Sequence, residues 1–299
     1  TPGGRSGATR RADATAGLLP RGLLRRLEGG RSAHGEVVRR LSLTYHSDRI
    51  REIEVTSYVE LALAPLSEDL AHPAFGKLFL ETSYLPAVNA ILCSRRPRSI
   101  DEPGVHALHV LSMEGHPQGG VEWETDRARF LGRGRSTDDP VALDGRALSG
   151  TTGAVLDPVA SLRVRVRLAP GGFARLAFTT GMARTRESAE ALADRYHDAG
   201  AAARTFNLAF THAQIELRHL GITPEEAQLF MRLASAALYV NPALREAPEF
   251  LARNDLGQSA LWRFGISGDH PILLVRVTEE NDLPLVRQAL KAHEFWRLK

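Results

Sequence analysis

The stretch SLRVRVRLAP (Ser161–Pro170) sets Leu162, Val164, Val166 and Leu168 in alternation with Arg163, Arg165 and Arg167. Successive side chains of a pleated strand point to opposite faces, so this segment reads as a strand with one apolar and one solvated face. Residues 52–63 repeat the pattern: Ile53, Val55, Ser57, Val59, Leu61 and Leu63 alternate with Glu52, Glu54, Thr56, Tyr58 and Glu60, as in one full-length strand. Shorter runs at 77–83, 88–94, 105–113, 121–130 and 173–180 are separated by Pro, Gly and Asp clusters. That spacing predicts an antiparallel β-sandwich. Strands and helices do not alternate before residue 180, which argues against a parallel dinucleotide-binding sheet.

After Gly181 the periodicity becomes helical. Thr185 is placed to cap a helix reaching about His197, and a second helix is expected from about Ala202 to Leu220, stopped by Gly221. Thr223-Pro224-Glu225-Glu226 combines a capping hydroxyl, a first-turn proline and a reciprocal glutamate, and Leu229, Phe230, Leu233, Ala237 and Leu238 follow at helical spacing. Leu285, Val286, Leu290, His293 and Phe295 are spaced as on one face of a last helix. The predicted organisation is a disordered basic leader over 1–35, a β domain over 36–181, linker helices over 184–253, and the opening of a further helical domain over 254–299.

The chain has 299 residues, 43% of them hydrophobic, enough for a sizeable core. Its net charge of +3 is unevenly placed: residues 1–40 hold nine arginines against Asp13, Glu28 and Glu36, a balance of +6 that leaves −3 for the rest. The excess lies in a Gly/Ala/Arg-rich leader without hydrophobic periodicity, so no nucleic-acid partner is expected. The longest apolar runs, such as ILLV at 272–275, fall far short of the roughly 20 residues that span a bilayer. The single cysteine, Cys93, excludes an internal disulfide framework and suits a reducing, cytoplasmic location. The chain begins with Thr and stops inside a helical pattern, and on that ground a longer parent protein is expected.

No complete catalytic constellation follows from spacing. Walker-type phosphate loops and GxSxG elbows are absent from the sequence. His106 and His109, three apart in a strand pattern, should face opposite sides, so no metal site is expected there. The run TDRARFLGRGRSTDDP (Thr125–Pro140) is the more pointed feature. Arg127, Arg129, Arg133 and Arg135, with Gly132 and Gly134, form a basic loop whose guanidinium forks suit phosphate or carboxylate. The competing reading is a solvated sandwich loop in which the arginines pair with Asp126, Asp138 and Asp139.

Four longer runs carry a specific resemblance: SYVELALAPLSEDLAHPAFGKLFLETSYLP (Ser57–Pro86), TDRARFLGRGR, SGTTGAVLDPVASLRVRVRLAPG (Ser149–Gly171) and QSALWRFGISGDHPILLVRV (Gln258–Val277). In this order they resemble glycoside hydrolase family 94, within it most nearly the phosphorylase-like region of cyclic β-1,2-glucan synthases, over about Glu36 to Lys299. The leader matches nothing in that family. The resemblance implies an antiparallel β-supersandwich, a helical linker and the start of an α/α toroid barrel. It also implies inverting β-glucan phosphorolysis by the parent, in which one general acid suffices because inorganic phosphate, the co-substrate, replaces the attacking water. No other cofactor is implied.

The family's catalytic aspartate lies beyond the position matching Lys299, so no catalytic residue is carried onto this chain and the isolated chain is expected to be silent. Trp262 and Asp269, with Arg127, Arg129, Arg133 and Arg135, remain as substrate-contact candidates, because an indole stacks on a sugar face and a carboxylate binds hydroxyls. A buried tryptophan and a turn-capping aspartate are the plainer alternatives. The implied partners are a β-glucan or glucooligosaccharide and the rest of the parent enzyme, with membrane attachment supplied by parts outside this chain and self-association a further expectation. Against the fragment reading stand a stand-alone carbohydrate-binding or assembly sandwich and a truncated reading of a longer gene with no independent role.

Overall fold

In a computed structural model, residues 23–31, 35–100, 102–239, 241, 243 and 245–299 are described. The strands are Leu23–Arg31 (β1), Val37–Tyr45 (β2), Arg51–Thr56 (β3), Val59–Glu60 (β4), Leu80–Leu85 (β5), Ala90–Arg95 (β6), Val105–Glu114 (β7), Pro117–Asp126 (β8), Gly153–Ala154 (β9), Pro158–Leu168 (β10) and Phe173–Ala183 (β11). The helices are Leu66–Ala71 (α1), Pro73–Lys77 (α2), Arg127–Leu131 (α3), Arg186–His197 (α4), Ala199–Leu220 (α5), Pro224–Leu238 (α6), Pro248–Leu251 (α7), Ser259–Trp262 (α8) and Leu283–Arg297 (α9). The described residues through Ala209 form one compact unit and those of Phe210–Lys299 another.

The first unit is a sandwich of two antiparallel sheets. The larger runs β1-β2-β11-β7-β6-β5-β9, and in the smaller β10 pairs with β3 and β4 along one edge and with β8 along the other. The alternating stretch at 162–168 therefore lies at the centre of the smaller sheet. Its Leu162, Val164, Val166 and Leu168 are all buried and meet Leu43, Tyr45, Ile91, Cys93, Leu111, Leu176 and Phe178 of the larger sheet. Burying each large aliphatic side chain contributes roughly 1.5–3 kcal/mol. On the outer face, register places Arg165 opposite Glu54 and Arg167 opposite Glu52.

The larger sheet is covered on its second face as well. Ala189, Ala193 and Tyr196 of α4, with Ala201 and Ala202 of α5, pack on Val38, Ala90, Leu92, Leu108, Val110 and Ala177. Double coverage explains why β6 and β7 are buried at consecutive positions rather than at alternate ones. The linker expected over 184–253 thus begins as part of the sandwich's own packing. Thr185 caps α4 by accepting from the Ser188 amide, and Thr223 and Glu226 form both bonds of the predicted capping box on α6. In the second unit, Phe230 of α6 packs with Ile222 and with Ala292 and Phe295 of α9.

Four expectations are corrected. Part of the anticipated leader, Leu23–Arg31, is strand β1, paired along its whole length with β2 and joined to it by a 2.7 Å Glu28–Arg40 ion pair. Its arginine-rich composition hid a backbone pairing; residues 1–22 and 32–34 lie outside the described residues. The long strand at 52–63 is interrupted at Ser57, whose Oγ takes the Leu162 amide at 3.0 Å while its carbonyl accepts from Ser161 Oγ at 2.8 Å. Arg163, expected on a solvated face, is 1% exposed. The last helix is present, but it packs through Ala292 and Phe295, leaving Leu285 and Leu290 of the expected face in solvent.

Truncating the buried row costs stability where truncating the outer face of α9 does not. Leu162→Ala is expected to lower unfolding free energy by about 3 kcal/mol, within the usual range for a fully buried leucine. Leu285→Ala is expected to change it by less than about 0.5 kcal/mol, as at other exposed sites. Urea denaturation of both variants checks the pair.

Candidate functional site

The basic loop starts where β8 ends. Asp126 caps α3, accepting from the Ala128 amide at 2.8 Å and the Arg129 amide at 3.4 Å. The helix buries Phe130 and Leu131, and Phe130 packs against Tyr58 with ring centroids 4.7 Å apart and planes tilted by 32°. Gly132 ends it at φ +82°, where a Cβ would come within 2.9 Å of Val141. Glycine is required there both for the left-handed backbone and for the close return of the loop.

Two of the four loop arginines are already committed to carboxylates. Arg127 donates to Glu60 at 3.0 Å and lies 3.6 Å from Asp157, which also takes Lys77 at 2.5 Å. Tyr58 donates to the same Glu60 oxygen at 2.8 Å. Partial burial pushes the Glu60 carboxyl up, but the bonds from Tyr58 and Arg127 outweigh it and hold the group below its ordinary value. Arg135 donates to Asp139 at 2.6 Å and grips Asp144, whose carboxyl the guanidinium holds below the usual range. Arg129 reaches only Asp126, at 3.7 Å, and Arg133 points into solvent with no ion-pair partner among the described residues. Of the three pairings the solvated-loop reading expected, those with Asp126 and Asp139 are present, while Asp138 takes no arginine among the described residues.

Beyond α3 the loop is fastened to the outer face of the smaller sheet by two buried charges that the sequence pattern did not single out. Arg163 donates to Thr56 at 2.9 Å, to the Arg146 carbonyl at 2.8 Å and to the Ala142 carbonyl, and pairs with Glu54 at 3.2 Å and Glu122 at 3.5 Å. Glu124, 2% exposed, accepts from the amides of Thr125 and Asp126, each at 2.9 Å, and from the hydroxyls of Ser149 and Thr151. The hint available in sequence was SGTT at 149–152: a run of hydroxyls able to satisfy a buried carboxylate.

Ser57 and His109 have the outline of a nucleophile and base, 2.8 Å apart, with His109 Nδ1 2.9 Å from Thr180 Oγ1. Burial, with Arg39 adding to it, lowers His109 to about 3. So weak a base cannot activate a hydroxyl at neutral pH. The pair is a polar fastener between the two sheets. Cys93 is likewise inert: burial pushes its thiol up to about 12. Among the described residues no group of three or more His, Cys, Asp or Glu is placed to hold a metal ion.

Trp262 and Asp269 belong to the second unit. Trp262 Nε1 donates to the Ser267 carbonyl at 3.2 Å, leaving the indole 63% exposed. Asp269 accepts from Gln258 at 2.8 Å and from Ser267 Oγ, and these bonds hold its carboxyl below the ordinary value. A Cβ on Gly268 would lie 2.8 Å from Gln258, so this turn closes tightly. Asp269 is occupied as a turn residue, whereas Trp262 keeps a free ring face.

With this geometry in place, residues 33–199 match the family described as Glycosyl hydrolase 94, supersandwich domain. The chain belongs to this family. The match ends at the start of α5, so the supersandwich takes in α4, in agreement with the packing of that helix on the larger sheet. The chain is also 38% identical over 271 residues to a protein named cyclic beta-(1,2)-glucan synthase NdvB, from Rhizobium meliloti (strain 1021). That similarity covers 89% of this chain and spans 9% of the length of the relative. Among the described residues no helix is long and apolar enough to cross a membrane.

Two outcomes are expected from the buried polar groups of the supersandwich. Arg163→Ala removes the donors of two loop carbonyls while Glu54 and Glu122 keep Arg165, so it should cost about 1–3 kcal/mol and speed limited proteolysis between residues 132 and 149. For His109, the folded state resists a proton that the unfolded chain accepts near pH 6.5. Stability is therefore complete above about pH 6.5 and falls by about 1.4 kcal/mol per unit as pH drops from there towards 3. Urea midpoints of wild type and His109→Gln between pH 7 and 5 should converge as pH falls; parallel slopes would rule out this role.

Proposed function

We propose that this chain is the supersandwich-bearing portion of an enzyme of β-glucan metabolism, of the cyclic β-1,2-glucan synthase or inverting phosphorylase type. In this reading it supplies scaffold and glycan contact, and the catalytic acid comes from elsewhere in the parent. The observation that carries the proposal is the 38% identity, over 89% of this chain, to a protein named as a cyclic beta-(1,2)-glucan synthase.

The site chemistry supports a supporting role. Arg127 and Arg135 are held by carboxylates. Arg129 and Arg133, by contrast, present guanidinium groups to solvent, where they suit the phosphate co-substrate or sugar hydroxyls. Trp262 offers an open ring on which a glucosyl face can stack.

The test pairs the chain with its longer parent. Purified residues 1–299, mixed with β-1,2-glucooligosaccharide and inorganic phosphate, should release no glucose phosphate, while the parent polypeptide should. Release by the chain alone would overturn the scaffold assignment. Oligosaccharide binding by titration calorimetry should weaken about threefold to tenfold in Arg129→Ala/Arg133→Ala and in Trp262→Ala, the loss of about 0.7–1.4 kcal/mol expected of partly exposed contacts. Binding without phosphorolysis by either polypeptide would turn the assignment to a carbohydrate-binding module.

A further inference from the structure

Strand β1 stands at one end of the larger sheet and, among the described residues, pairs with β2 alone. Its register runs unbroken from Leu23 opposite Tyr45 to Arg31 opposite Val37. The other edge of these nine residues offers a row of backbone N–H and C=O groups, a template for a further strand. Elsewhere the sheets end differently. β9, at the far end of the same sheet, and β4 are two residues long, and β8 is broken by two register shifts. β1 has neither a bulge nor a proline.

The charges along this edge decide which strand it accepts. In an antiparallel pair of identical strands about a two-fold axis normal to the sheet, one residue lies opposite itself and its neighbours pair symmetrically. Centred on Arg26, the pairing opposes two arginines; centred on Glu28, it opposes two glutamates and also Arg25 with Arg31. Centred on Leu27, it sets Arg26 opposite Glu28 twice, Arg25 opposite Gly29, and Leu27 opposite itself. Leu27 is the middle of the nine residues, so this register alone uses the strand from end to end. Gly29 is exposed and a Cβ there would meet nothing within 4 Å, which leaves room for the arginine across from it. Leu27, 38% exposed, gains cover from its counterpart. Glu28 already takes Arg40 at 2.7 Å, and a carboxylate accepts a second guanidinium. Opposite charges directly across a sheet pair stabilise it and like charges destabilise it, so the charges that reject the other registers select this one.

We propose that β1 is a dimerisation edge, taking β1 of a second copy of this chain in an antiparallel pair centred on Leu27. The larger sheets of the two copies then run on into one another. This pairing needs nothing from the β-glucan reading.

Cysteine cross-linking across the axis tests the pairing in the 299-residue chain. Leu27→Cys sets two thiols on residues whose Cα atoms are about 4.5–5.5 Å apart in an antiparallel pair, within reach of a disulfide. Copper-phenanthroline oxidation should link this variant into a dimer at least tenfold faster than Gly29→Cys, whose two thiols stand four residues out of register. Cys93 is buried and adds no background. As a second measurement that leaves the strand unaltered, sedimentation equilibrium of the wild-type chain should show a dimer, and its dissociation constant should rise at least tenfold in Arg26→Glu. A wild-type monomer at every concentration, a dimer unmoved by Arg26→Glu, or equal cross-linking at positions 27 and 29 would overturn the proposal.

Discussion

The contact between the β10 row, Leu162 to Leu168, and the inner face of the larger sheet is the interaction on which the rest of the sandwich depends. β10 is paired along both of its edges, so its apolar row fixes the facing of β3, β4 and β8 together. A slip of one residue would turn the arginine row into the core, which makes register a matter of several buried side chains at once. The Arg165–Glu54 and Arg167–Glu52 oppositions on the outer face then follow from the same register.

Buried polar groups take up where apolar packing stops. Arg163 and Glu124 hold the long excursion between β8 and β9 flat against the smaller sheet, and Ser57, His109 and Thr180 link the two sheets. Thr82 and Thr125 add a buried 2.9 Å hydroxyl contact between β5 and β8. Such groups are costly unless satisfied, so they specify one arrangement of the loops more sharply than apolar contacts do. One result is that the arginine-rich loop is anchored at Arg127 and Arg135 and presents Arg129 and Arg133 outward.

How much of this could be read from the chain depended on whether the signal was local. Alternation at 162–168, the Thr185 cap and the Thr223–Glu226 box are written in neighbouring residues, and each appears where its pattern places it. β1 was hidden because its stability comes from pairing with β2, not from its own composition. The burial of Arg163 was hidden because the carbonyls of Ala142 and Arg146 that cover it lie some twenty residues away in a loop without periodicity. The packing face of α9 was misjudged because its partners on α6 decide which side is inside. The basic loop was legible as a feature, while the division of its arginines between carboxylates and solvent needed Glu60, Asp157 and Asp144 in space.

The strand order also dictates a timetable. β2 finds one neighbour in β1, a short hairpin away, but its other neighbour is β11, with Arg39 opposite Phe178. During synthesis at about 5–20 residues per second, that edge of β2 waits roughly 7–30 s for its partner to leave the ribosome. β3 waits similarly for β10. The nascent sandwich is thus a set of hairpins with open edges until its last strands arrive, and it then closes late and nearly all at once.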